Sequence, residues 1–174
     1  MSAAVGIRIA LIVFVVTILQ VSAFSSVTVA GGGLDVLLVT LVSIALLRGA
    51  VTGAVAGFAA GLIVDVTTLG TLGLTSLLLT LAGYWAGRYG ETTGRSRAHA
   101  PLAATVAATI LVAFGGYGLQ LMLGEPVAAR VVLVGLPATV LWNALLVYPV
   151  FGLVRRLVGT TEHAQRAREV ELLV

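Results

Sequence analysis

Between Arg8 and Asp35 the chain carries no charged residue, and the same pattern recurs further on: long apolar runs are separated by isolated charges or glycine-rich breaks. The first run, Ile9–Val29, rises about 1.5 Å per residue as a helix and so reaches across a hydrocarbon layer of about 30 Å. Mean hydropathy is +1.12 and 10% of positions are charged, about half of what a soluble globular domain carries. A water-soluble fold is excluded, and the 174 residues read as one polytopic, all-α membrane domain. All ten basic residues are arginine, and a net charge of +3 on such a chain records topology and attraction to anionic headgroups, not a polynucleotide partner. The absence of cysteine excludes disulfides, cysteine-ligated iron–sulfur clusters and thiol catalysis.

Six spans follow from the runs and their breaks. Span one is Ile9–Val29; a cleaved leader ending near Val21-Ser22-Ala23 is the competing reading, disfavoured because apolar character continues through Val27 to Ala30. After Gly31-Gly32-Gly33, the stretch from Leu34 to Val64 would be too long for one span, so a tight turn near Arg48 is expected to divide it. Span two is then Gly33–Leu47 and span three Gly49–Val64. A brief turn at Val66–Thr68 with Gly70 leads to span four, Leu72–Gly87, whose Tyr84-Trp85 pair and neighbouring Tyr89 suit a membrane interface. Arg88–His99 reads as a polar loop, Pro101–Leu123 as span five and Val131–Val154 as span six. Pro137 and Pro149 are expected to kink span six, where Trp142 and Tyr148 read as interface anchors or bundle filler. Residues 1–156 form the six-span domain; 157–174 form a tail in which Thr160 or Thr161 would cap a short amphipathic helix, or a solvated, frayed one.

Arginine placement orients the bundle. With six spans and both termini cytoplasmic, nine arginines lie inside and Arg130 alone lies outside. Fusing spans two and three into one leaves Arg48 in lipid and lowers the split to seven against two.

The most specific pattern lies in span three. Gly49, Gly53, Gly57 and Gly61 follow one another at an unbroken spacing of four, and Asp65 is the next step. Each step of four overshoots a helical turn by about 40°, so the glycines form a winding groove suited to a right-handed crossing at close range. Gly83 and Gly87 repeat the spacing on span four, so spans three and four are expected to meet there, with Phe58 filling space beside the groove. Packing inside the chain is the favoured use of the groove; an oligomer or partner contact is the other. Asp35 and Asp65, the two aspartates, fall at the same ends of spans two and three, facing each other or water. Capping of a neighbouring turn or solvation is weighed above a ligand or proton site, and two carboxylates supply too few oxygens for a hard cation.

Chemistry is otherwise sparse. His99 and His163 lie off the spans without metal-ligand spacing, and Ser43 and Ser76 have no base on any span, so no metal site and no catalytic pair can be named. Tyr117, Gln120 and Asn143 are expected to hydrogen-bond between helices.

The run Gly57-Phe58-Ala-Ala-Gly61-Leu62-Ile-Val-Asp65, followed by Leu69-Gly70 and Leu72-Gly73, resembles the MreD family of rod shape-determining membrane proteins. Leu34-Asp35-Val36 stands where that family often has Pro-Asp-Leu, with the proline lost. The resemblance implies no cofactor and a non-catalytic scaffold in the plasma (inner) membrane, helping to organise peptidoglycan synthesis and cell shape. It also implies MreC as partner, with RodA, a class B penicillin-binding protein and the MreB filament in the same machinery. Gly49, Gly53, Gly57, Phe58, Gly61 and Leu62 would then form the packing or partner face, and Asp35 and Asp65 the motif acids. The family is similar in fold to substrate-binding subunits of energy-coupling-factor transporters, which supplies an alternative: a small-solute-binding component docked on an ATPase assembly. Against it, Ala10 is followed by Phe14, where those subunits carry an AxxxA face on the first span.

Overall fold

The computed structural model describes residues 3–24, 28–29, 32–69, 71–93, 99–124 and 129–158. Over these residues the chain is all-helical apart from one minimal hairpin. Helix α1 (Ala3–Leu19) runs into a π-helical turn at Gln20–Phe24, and strands β1 (Thr28–Val29) and β2 (Gly32–Gly33) pair antiparallel. Five helices follow: α2 (Val36–Arg48), α3 (Ala50–Thr68), α4 (Leu74–Thr93), α5 (Ala100–Met122) and α6 (Ala129–Val158). Four helical stretches, Val5–Ser22, Ala50–Thr68, Ala100–Met122 and Val132–Val158, are long and apolar enough to cross a membrane.

The shortest of the six helices is the centre. Every residue of α2 from Leu37 to Leu47 is buried, and α2 touches each of the other five. Leu38, Leu41, Ile44 and Leu47 are its largest buried side chains, joined by Ile9 and Val13 of α1 and Val154 and Val158 of α6. Most large exposed apolar side chains, such as Leu11 and Phe14 on α1 or Leu141 and Leu145 on α6, lie on the outer helices, as expected where the surrounding solvent is lipid.

The turn expected near Arg48 consists of one residue. Gly49 lies between α2 and α3 with φ +97, a left-handed conformation that a side chain would strain, and a Cβ there would also run into the Glu91 carboxyl group. Several expected boundaries shift. Span one ends as a helix at Leu19, with the π-helical turn and hairpin taking up residues assigned to it. The region expected as a turn at 66–68 is the last turn of α3, closed by Leu69 in the left-handed conformation. The polar loop expected from Arg88 is instead helical to Thr93, because Glu91 finds a partner on α3 that keeps this turn in place. Pro137 and Pro149 lie inside α6, whose helix continues through both. Gly70 and the tail from residue 159, with its expected Thr160 or Thr161 cap, lie outside the described residues.

Candidate functional site

The glycine series of α3 lies against α4. A Cβ at Gly53 would collide with the carbonyl oxygen of Gly83, one at Gly57 with that of Leu79, and one at Gly61 with the Cα of Ser76. Seen from α4, a Cβ at Gly83 would strike the Gly53 carbonyl, and one at Gly87 would sit 2.5 Å from the Ala50 Cα. As α3 advances by four residues the contact on α4 recedes by about four, so the two helices run antiparallel with their backbones touching along the whole seam. All of these collisions are with backbone, which cannot rotate out of the way.

Such close approach buries helix ends, and carboxyl groups meet them. Asp65, 2% exposed, accepts from the backbone N–H of Gly73 (2.8 Å), Thr75 (3.1 Å) and Ser76 (3.2 Å), the donors that open α4. At the other end of the pair Glu91 accepts from the N–H of Ala50 (2.9 Å), the first residue of α3, and forms an ion pair with Arg88 at 3.5 Å. Each helix of the pair therefore caps the start of the other with an acid near its own C-terminal end, where its carboxylate meets the positive end of the neighbour's dipole. Asp35 caps the helix that it precedes: as N-cap of α2 it accepts from the Leu38 N–H at 2.8 Å. Asp35 and Asp65 thus cap separate helices and do not face each other as an acid pair. No cluster of three or more potential metal ligands occurs among the described residues.

Phe58 and Leu62 do not join the seam. Their side chains are 54% and 42% exposed, so the expected filling role of Phe58 beside the groove is not realised: a backbone-to-backbone contact leaves no space for it. The Phe58 carbonyl does take part, accepting from the Ser76 hydroxyl at 3.0 Å.

A second polar arrangement holds the lead-in to α2. The Gln20 side chain donates to the Leu34 carbonyl (2.9 Å) and accepts from the Val36 N–H (3.0 Å). From α6, Thr139 accepts from the Gly33 N–H (3.2 Å) and Asn143 from the Asp35 N–H (3.1 Å). Asn143, fully buried, also donates to the Thr109 hydroxyl of α5 at 3.1 Å, bearing out its expected interhelical role. Non-helical backbone that is drawn away from water requires such partners. At the opposite end of α2, Arg48 donates to the Val158 carbonyl, the last residue of α6.

Glu91, Gln20 and Thr139 are among the residues that escaped the sequence reading. For Glu91 the spacing was legible and the partner was not: Gly83, Gly87 and Glu91 repeat on α4 the interval of Gly57, Gly61 and Asp65 on α3, but that the carboxyl meets the start of α3 follows from the crossing of the two helices. Gln20 gave no comparable signal, since its partners are backbone groups well along the chain.

Residues 2–158 match the family model described as rod shape-determining protein MreD. Neither a curated protein nor a solved structure matches the chain.

Proposed function

The chain belongs to the rod shape-determining protein MreD family, and on that premise we propose that it acts as a non-catalytic scaffold of the cell-elongation machinery, binding MreC and helping to organise peptidoglycan synthesis. A role in rod shape determination comes with the family; the scaffold reading rests on how the polar and small residues are used. The glycine seam, the three acidic caps and the Gln20 and Asn143 side chains all take partners within the chain. What is left for another protein is the outward helix faces and the ends of the bundle.

In this reading the bundle crosses the inner membrane six times with both termini cytoplasmic, as the nine-to-one arginine split favours. Helix α2 spans about 20 Å, and the extended residues 32–35 before it supply the remainder of a crossing sheltered from lipid by the other helices. The tail, 157–174, lies on the cytoplasmic side. Of the α3 residues in the family motif, Phe58 and Leu62 are the partner-facing candidates, and Gly49, Gly53, Gly57 and Gly61 position them. RodA, a class B penicillin-binding protein and the MreB filament complete the assembly.

Affinity purification from gently solubilised host membranes, read by mass spectrometry, tests this. Recovery of MreC with the elongation synthase is expected; recovery of an ATPase pair with a coupling subunit would instead identify a solute-binding transporter component. The double variant Phe58→Ala/Leu62→Ala is expected to fold normally and to retain less than about half of the MreC, because it removes outward contact area without touching the seam.

A further inference from the structure

Between α5, α6 and the start of α2 lies a cavity of about 370 Å³, within the size range of small-ligand sites. Its walls are mainly apolar, and its polar lining comes from Asp35, Thr109, Tyr117, Gln120 and Thr139. The two threonine hydroxyls are already committed: Thr109 accepts from Asn143 and donates to the Thr105 carbonyl, and Thr139 accepts from Gly33 and donates to the Gly135 carbonyl. Asp35 uses one carboxyl oxygen for its cap. Among the described residues, its other oxygen, the Tyr117 hydroxyl and the Gln120 amide have no hydrogen-bond partner, although Tyr117 and Gln120 are half-buried. These three groups line one cavity that, among the described residues, carries a carboxyl group and no basic side chain.

We propose that this cavity binds a primary ammonium group carried on a short organic body. An ammonium presents three N–H donors, and the carboxyl oxygen, the amide oxygen and the phenol oxygen are three acceptors. A hard metal ion would require more oxygen ligands than these, and a quaternary ammonium would require several aromatic faces where one tyrosine stands. Leu38 and Leu136 offer apolar surface for the organic body. The same chemistry is found in a free small amine and in the headgroup of an ethanolamine lipid. The inference does not depend on which proteins the chain assembles with.

The cysteine-free sequence makes the test clean. Gly116 lines the cavity, and a Cβ there would meet only Leu78 Cδ1, at 3.6 Å, so Gly116→Cys introduces a thiol without displacing backbone. Ala113→Cys, from the same wall, is the second variant should the first fail to fold. In phosphatidylcholine nanodiscs, whose surface is net neutral before and after exchange for phosphatidylethanolamine, the thiol is treated with a cationic and an anionic methanethiosulfonate reagent, each rate being divided by that reagent's rate with a free small thiol. The cationic reagent is expected to react about tenfold faster, and Asp35→Asn, which keeps a capping oxygen, to remove the preference. Millimolar ethanolamine slowing the reaction in these discs identifies a free amine as ligand. Slowing by replacement of half the lipid with phosphatidylethanolamine, without added ethanolamine, identifies a headgroup. A thiol unreactive to both reagents, equal normalised rates, no protection in either arm, or protection that survives Asp35→Asn would each overturn the proposal.

Discussion

Along α3 and α4, glycines at 53, 57, 61, 83 and 87 hold two backbones in contact, whereas on α5 and α6 Gly116, Gly118 and Gly152 have either a distant side chain or open space opposite them. Both regions are apolar and glycine-containing, yet one is a closed seam and the other borders a cavity. Glycine content therefore carries little information by itself. What distinguishes the seam is the spacing of four on both partners and the acid that ends each series, Asp65 on α3 and Glu91 on α4. In lipid there is no hydrophobic force to press helices together, so association depends on close van der Waals contact and on satisfied polar groups. The seam supplies both. The α5 and α6 side trades contact for space, and its polar residues face a cavity as well as neighbouring backbone.

Substitutions of increasing delicacy can break this contrast. Gly57→Leu drives a side chain into the Leu79 carbonyl and is expected to cost at least about 3 kcal/mol, or to prevent folding, in thermal or denaturant unfolding in detergent. An unchanged midpoint would mean that the backbones are not in contact. Asp65→Ala strands three backbone donors, the buried Ser76 N–H among them, and is expected to cost about 3 kcal/mol, while Asp65→Asn, which keeps one acceptor oxygen, is expected to cost about 1 kcal/mol. If the two variants proved equally damaging, volume and not capping would be what Asp65 provides. Asn143→Ala leaves the Asp35 N–H without its acceptor and should lower stability by about 2 kcal/mol. A concurrent rise in amide exchange at Asp35, absent from the Asp65 variants, would localise the loss to the lead-in of α2. Gly118→Ala sharpens the comparison from the other side: with nothing within 4 Å of its Cβ, it should be neutral or stabilise by up to about 1 kcal/mol through helix propensity.

The parts of the fold legible in the sequence are those set by local spacing. The division of the run Leu34–Val64 at Gly49, the meeting of α3 with α4 through glycines, and a capping role for Asp35 and Asp65 could all be read from residue type and interval. The direction of Phe58 could not. On a helix surrounded by apolar neighbours a phenylalanine is equally at home against lipid or protein, and the closeness of the seam, a property of both helices together, turned it outward.

The amino-acid sequence by itself determined that this is a helical membrane protein, that it carries the MreD pattern, and that α3 must pack against something with no side chain in between. Tertiary structure alone decided that α2 lies at the centre, that Glu91 reaches across to α3, and that Gln20, Thr139 and Asn143 hold the extended residues before α2. The reason is common to all three. In water, hydrophobic residues announce the inside of a protein; in lipid they do not, so burial is chosen by shape and by the need of each buried backbone group for a partner, and those partners are remote in the chain.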